Sequence, residues 1–237
     1  MKKKSILIVG SKGLIGKALT EGLKKNYNII KVDKNISSSN LSYKCDLNNQ
    51  KSFEKLLLKL KKNKIKLFAA INTVYPQKSS NFLQTDTKKL IKYISKHLVA
   101  YYNFNKKLYD FFSREKGKKI IINFSSIYGS KIPNFKIYEK TKIKMPIEYS
   151  ISKSGLNIMN KYFAEWSKFK KKKIFFFSIS PAGISADQPR KFHLNYKKYY
   201  KSKMLTTSSL VKIVNKILNS SNRNNGKNFF LAGKARI

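Results

Sequence analysis

The sequence predicts an α/β fold, a doubly wound parallel sheet in a single domain spanning residues 1–237. Three observations predict it. Short β-branched apolar runs alternate with segments of helical periodicity along the whole chain. The runs are apolar at nearly every position, as strands buried on both faces require. A glycine-rich turn separates the first run from the first helical segment.

Ser5–Val9 is the first strand, and Leu14–Lys25 follows as a helix with Leu14, Ile15, Ala18, Leu19 and Leu23 at helical spacing. Asn28–Val32 is the second strand, ending on Asp33, and a weak strand lies near Tyr43–Cys45. Phe53, Leu56, Leu57 and Leu60 make Ser52–Leu60 a helix, and Lys66–Thr73 is a strand. Leu90, Ile91, Ile94, Leu98, Tyr101 and Tyr102 give Thr87–Glu115 as one long helix or two joined ones. Lys119–Phe124 is a strongly apolar strand and Glu148–Lys170 a helix. Ile174–Ile179 is a strand, Thr206–Leu218 a helix and Asn228–Leu231 the last strand. Tyr101, Tyr102, Phe111, Phe112 and Phe175–Phe177 fall at helix or strand spacing and read as core. Segments 130–147 and 184–205 are irregular and longer than ordinary connections, so they are candidate substrate loops. Within the second, Arg190–Lys203 interleaves cations with Phe192, Tyr196, Tyr199 and Tyr200. That pattern suits an anionic or sugar-like ligand, or equally a solvated amphipathic helix.

The 237 residues carry 52 Lys+Arg against 11 Asp+Glu, a formal charge of +41. Only Arg114, Arg190, Arg223 and Arg236 are arginines, and the lysines are spread along the whole length. Readers of nucleic acid lean on the planar arginine fork, so this balance disfavours a nucleic-acid partner. The positive field instead speeds the arrival of small anions. One cysteine, Cys45, excludes an internal disulfide, and two distant histidines, His97 and His193, argue against a histidine-based metal site. No stretch approaches the ~20 apolar residues of a membrane span. A cytoplasmic protein with no metal and no membrane partner is expected.

Gly10, Ser11, Lys12, Gly13, Leu14, Ile15 and Gly16 lie between the first strand and the first helix. Glycines at this spacing permit the tight turn, the approach of backbone to a pyrophosphate, and close helix–strand packing. The helix N-terminus then offers free N–H groups to phosphates. Asp33, at the end of the second strand, can accept from both adenosine ribose hydroxyls and repels a 2′-phosphate. The cofactor expected is NAD, with NADP possible because Lys12 or Lys34 could pair with that phosphate. This makes the predicted sheet Rossmann-like. Tyr149 and Lys153 sit at i and i+4 on one helix face, and an ammonium beside a phenol favours the phenolate. Ser125 and Ser126 stand just past an apolar strand, at the edge where such sheets bind ligands.

On these residues the sequence resembles the short-chain dehydrogenase/reductase family over nearly its whole length. The resemblance implies that Tyr149 is the general acid/base and Lys153 its pKa-lowering partner, which also holds the nicotinamide ribose. It implies that Ser126 orients the reacting oxygen and that Asp46 with Leu47 meets the adenine. Asn72 matches the first residue of the family's Asn-Asn-Ala-Gly strand end, with Thr73-Val74-Tyr75 in place of the rest. Pro181, Gly183 and Ile184 match the cofactor element after the sixth strand. His97 stands where the family commonly has its catalytic-tetrad asparagine, and it is either part of a proton relay or a half-buried helix histidine.

Ser125-Ser126-Ile127-Tyr128-Gly129, Pro133–Tyr138, Met145–Tyr149, Tyr75-Pro76 and Asp187-Gln188-Pro189 are most similar to oxidoreductases of flagellin-modification and nonulosonic-acid sugar loci. That similarity implies a phosphorylated or nucleotide-linked sugar substrate, and the family implies a homodimer or homotetramer built on the two long helices. The alternative is a non-catalytic dinucleotide-binding or basic nucleic-acid-binding protein on the same fold, for which the replaced Asn-Ala-Gly and the charge speak.

Overall fold

In a computed structural model of the chain, residues 3–74, 86–220 and 225–232 are described. Seven strands form one sheet: β1 (Ser5–Val9), β2 (Asn28–Asp33), β3 (Ser42–Lys44), β4 (Leu67–Asn72), β5 (Lys119–Phe124), β6 (Ile174–Pro181) and β7 (Asn228–Leu231). Every pairing is parallel, in the order β3-β2-β1-β4-β5-β6-β7. The winding reverses between β1 and β4, so the carboxyl ends of those two strands open a crevice. Among the described residues six α-helices accompany the sheet: α1 (Leu14–Leu23), α2 (Gln50–Lys62), α3 (Thr87–Phe112), α4 (Ile147–Phe169), α5 (Arg190–Tyr200) and α6 (Thr207–Asn219).

The alternation of side chains along the strands divides the core in two. Leu7, Val9, Ala70, Ile121 and Phe176 join one cluster with Phe53, Leu57, Phe104 and Phe163 from α2, α3 and α4. Ile6, Ile8, Ala69, Ile71, Ile120, Ile122 and Phe177 join another with Leu19, Leu23, Leu210 and Val214 from α1 and α6. With helices on both faces, each central strand is apolar throughout, which is why the strand runs stand out in the sequence.

The helix over 87–112 is continuous, one long helix rather than two. It starts where the Asp86 side chain accepts from Lys89 N–H at 2.8 Å. Two expectations need correction. Tyr102 is 48% exposed, whereas Tyr101 is fully buried. Successive helix residues point about 100° apart, and here Tyr101 faces the core while Tyr102 is turned to its margin. The segment 184–205 is not irregular throughout: of the two readings of Arg190–Lys203, the helical one holds over the eleven residues of α5. In 130–147, by contrast, the described structure is loop with one short 3-10 turn, Phe135–Tyr138, as far as Ile147, where α4 begins.

A chain of buried amides crosses the middle of the sheet. Asn72 Nδ2 on β4 donates to Asn123 Oδ1 on β5 at 3.2 Å, and Asn123 Nδ2 donates to Asn105 Oδ1 on α3 and Asn160 Oδ1 on α4, each at 2.8 Å. Asn160 Nδ2 then donates to Ser178 Oγ on β6 at 2.8 Å. Buried polar groups that satisfy one another in this way fix a single arrangement of the elements carrying them. Here those elements are the strands and helices that hold the candidate site.

Candidate functional site

The glycine turn leaves β1 at Gly10, whose φ of +82° is left-handed, and both Gly10 N–H and Ser11 N–H donate to Val32 O (2.9 and 3.1 Å). Helix α1 then starts at Leu14 with no side-chain cap on its first turn. Its leading N–H groups therefore point past Gly13 without a side-chain acceptor. A Cβ on Gly16 would lie 2.1 Å from Gly10 O, so the turn can lie against the helix only with glycine there. Ser11 Oγ is buried and has no hydrogen-bond partner among the described residues. An orphaned hydroxyl, an uncapped helix start and a cradle that a methyl group would fill are what a bound pyrophosphate requires.

Asp33 closes the neighbouring side. Its Oδ2 accepts from Lys12 N–H and its Oδ1 from Asn35 N–H, both at 3.0 Å. The Lys12 ammonium donates to Asn35 O at 3.1 Å, so it is held beside Asp33 rather than over the turn. A cleft of about 250 Å³ runs from Gly10, Lys12 and Gly13 past Asp33 to Asp46, Leu47 and His97. Burial works against the charge of Asp46, but Asn48, through its N–H and its Nδ2 (each 3.0 Å), and the nearby Lys34 and Lys96 hold its pKa below the ordinary value.

At the carboxyl edge of β5, Ser125 Oγ donates to Lys153 O at 3.2 Å, and Ser126 Oγ accepts from Tyr128 N–H at 3.2 Å. Lys153 is buried on α4, its Nζ donating to Phe124 O at 2.8 Å. Burial pushes the Lys153 pKa down to about 7. The Nζ lies 5.8 Å from the centre of the Tyr149 ring, one helical turn earlier, and 5.2 Å from that of Tyr101. An ammonium at that distance favours the ionised form of the neighbouring phenol.

The structure thus brings Lys153 under Tyr149 and ties it to the strand end that carries Ser126. Pro181, Gly183 and Ile184 follow at the adjoining edge of β6, where Leu205 N–H donates to Gly183 O at 2.8 Å. These residues and Asn72 lie outside the lining of the cleft between Gly10 and His97. The pair Tyr75-Pro76 and the arginines Arg223 and Arg236 fall outside the described residues. Sequence reasoning overlooked Asn105, Asn123 and Asn160. The available signal was a lone amide inside the apolar run Ile120–Phe124. Among the described residues no acid–histidine–cysteine group could hold a metal ion, and no helix is long and apolar enough to cross a membrane.

His97 lines the cleft from α3 and stacks edge-on against Tyr93 at 4.5 Å. Burial first, then the charges of Lys153, Lys96 and Lys34, lower its pKa from 6.5 to about 4. It is a neutral imidazole at pH 7, able to hold a water but not to act as an acid. Between those two pKa values the unfolded chain binds a proton that the folded chain refuses. Stability therefore falls as pH drops from about 6.5 to about 4, by roughly 3 kcal/mol from this residue. Denaturant unfolding of the His97→Asn variant should show a smaller loss between neutral and pH ~4 by about that amount. Parallel pH dependence in the two proteins would contradict it.

A family model described as the NAD dependent epimerase/dehydratase family matches residues 6–170. The chain is 27% identical over 225 residues to "Post-translational flagellin modification protein A" of Campylobacter coli, covering 86% of each chain. Among solved structures it is similar to a short chain dehydrogenase from Leptospira borgpetersenii with bound NAD+, with a TM-score of 0.86 and 26% identity over 98% of this chain and 92% of that one. It shares the fold of 4-hydroxyisoleucine dehydrogenase complexed with NADH, with a TM-score of 0.80 at 22% identity over 98% and 97% of the two chains.

Proposed function

The chain belongs to the NAD dependent epimerase/dehydratase family, and on that footing we propose that it is an NAD-linked oxidoreductase interconverting a secondary alcohol and a ketone on a sugar. The observation that carries this reading is the buried Lys153 ammonium held beneath Tyr149 at the strand end that presents Ser126. The likeness to the Campylobacter coli flagellin-modification protein supports a sugar of a surface-glycan pathway, phosphorylated or nucleotide-linked. A cytoplasmic setting is part of the same proposal.

The residues present fit a dinucleotide. The 10–16 turn, Ser11 Oγ included, would hold its pyrophosphate, and Asp33 its adenosine ribose. Asp46 with Leu47 would meet the adenine, while Asn72, Pro181, Gly183 and Ile184 would line the nicotinamide half. Such a group, when bound, supplies the hydride acceptor. The chain's own part is to move a proton and fix an oxygen. Tyr149 Oη takes the proton from the substrate hydroxyl as a general base. Lys153 favours the phenolate that makes this possible near neutral pH. Ser126 Oγ donates to the reacting oxygen and keeps it in line with Tyr149.

Asp33 makes NAD the preferred form. Asp33→Ala should narrow or reverse the preference for NADH over NADPH, because Lys12 and Lys34 then meet a 2′-phosphate without an opposing carboxylate. Titration of both reduced cofactors into the two proteins reads this directly. An unchanged preference in the variant would remove Asp33 from cofactor selection.

A homodimer or homotetramer through α3 and α4 belongs to the same proposal. Their outer faces expose Tyr102, Ile158, Tyr162 and Phe169, an apolar patch among lysines. Like charge opposes pairing and salt relieves it, so sedimentation should show assembly strengthening with added salt. The substrate is tested by a screen of sugar phosphates, nucleotide sugars, neutral sugars and simple ketones, following NADH absorbance at low and high salt. Turnover of an anionic sugar with a KM that rises with salt is expected. Turnover confined to neutral non-sugar ketones would overturn the sugar reading.

A further inference from the structure

Helix α5 is fastened to the rest of the molecule by phenols. Phe192, Tyr196 and Tyr200 recur every fourth residue along one of its faces. Tyr196 Oη accepts from Gly183 N–H at 3.2 Å, at the exit of β6, and its ring lies 4.8 Å from that of Tyr200. Tyr200 Oη lies 3.1 Å from Tyr128 Oη, and Tyr138 Oη donates to the same Tyr128 oxygen at 3.1 Å. Tyr128 stands on the turn that follows Ser126, with its N–H on Ser126 Oγ. Asn195 Nδ2 adds bonds from α5 to the carbonyls of Ile137 (3.3 Å) and Glu139 (2.9 Å). The turn after β5, the segment 131–146 and α5 therefore meet at one cluster of three hydroxyls beside the candidate reacting centre.

The donors can be counted. Three phenols carry three O–H groups. Tyr138 gives its proton to Tyr128, and one more lies between Tyr128 and Tyr200. The third, on Tyr128 or Tyr200 according to the direction of that bond, is used by neither contact within the cluster. Burial, reinforced by the two neighbouring phenols, pushes the Tyr128 pKa well up, so the cluster stays neutral and keeps its donor. A site that offers such an O–H accepts an oxygen there and rejects an analogue lacking it, since the donor would be covered without a partner.

We propose that Tyr128, Tyr138 and Tyr200 form the specificity determinant of the site, latching α5 and 131–146 over the Ser126 turn and giving their remaining O–H to a hydroxyl of the substrate. This rests on the reading of Ser126, Tyr149 and Lys153 as the reacting centre. It assigns selection to a neutral hydroxyl on the substrate, apart from whatever anion the lysines attract.

The test uses Tyr128→Phe and Tyr200→Phe in the full chain. Amide hydrogen exchange across 131–146 and 190–205 should rise about tenfold in Tyr200→Phe, which loses one hydrogen bond, and further in Tyr128→Phe, which loses two, while β1, β5 and NADH affinity stay as they were. Unchanged exchange in both variants overturns the latch. The second arm compares hexose phosphates with their monodeoxy counterparts. The unsubstituted protein should discriminate against one deoxy position, and Tyr128→Phe should reduce that discrimination about tenfold with a rise in KM larger than the fall in kcat. Discrimination preserved at every position in both variants overturns the selective role. Failure of the underlying reading shows separately, as an unsubstituted protein that binds no NADH.

Discussion

Tyr149→Phe should lower kcat by about a thousandfold while leaving NADH binding nearly unchanged. The substitution removes one oxygen and keeps the ring on the first turns of α4, where the Lys153 ammonium lies 5.8 Å from its centre. No packing is lost, so the fold has no reason to respond. What disappears is the proton acceptor, and a positioned acid/base is worth about 10²–10⁴ in rate, or roughly 3–5 kcal/mol of barrier. Lys153 is then left buried beside a ring that can no longer ionise, its Nζ still donating to Phe124 O. Steady-state kinetics on the substrate found by the sugar screen, beside an NADH titration, separates the two effects. A variant that keeps activity within about tenfold of the parent would take Tyr149 out of the mechanism.

Gly16→Ala should cost the protein its dinucleotide, with affinity for NADH reduced about a hundredfold or more. The added Cβ would meet Gly10 O at 2.1 Å, Ser11 Cα at 2.7 Å and Gly10 C at 2.8 Å. All three are backbone atoms, so no side chain can swing away, and the turn must move off α1. The N–H groups that would hold the pyrophosphate move with it, and two charge-assisted hydrogen bonds at roughly 1.5 kcal/mol each make about a hundredfold. Overpacking itself costs about 1–3 kcal/mol of stability, so thermal unfolding should shift as well. Gly117→Ala is the control. Its Cβ meets nothing within 4 Å and it precedes β5 at the opposite edge of the sheet, so it carries backbone strain alone. Equal loss of NADH affinity in both variants would mean that the effect is general destabilisation and not the closed turn.

The parts of this molecule that were legible in the sequence are those whose cause is local. A strand such as Lys119–Phe124, buried on both faces, is apolar throughout, and the glycine turn and Asp33 are fixed by the two strand ends that bear them. Tyr149 and Lys153 share a helix face by spacing alone. The lysine load hid more. In Arg190–Tyr200 the period of Phe192, Tyr196 and Tyr200 is helical, but five of the eleven residues, from Arg190 to Lys198, are cationic or histidine and only three residues are buried. The buried amides were hidden for another reason. Asn123 meets Asn105 and Asn160 only because the strand order sets β5 beneath both long helices, which no local pattern records. The tyrosine cluster is of the same kind, joining residues as far apart as Tyr128 and Tyr200.

The central claim is that this chain binds a nicotinamide dinucleotide through the 10–16 turn and Asp33 and works on it with Tyr149 and Lys153. Titration of NADH into the unsubstituted protein, followed by the cofactor's own emission with NADPH as competitor, tests it most directly. Trp166 packs among Tyr102, Tyr109, Tyr162 and Phe163 on the α3–α4 face, apart from the cleft, so the cofactor signal is the one to read. The account predicts saturable binding, preference for NADH over NADPH, and loss of both in Gly16→Ala. No saturable binding of either cofactor, or binding indifferent to Gly16→Ala, would contradict it.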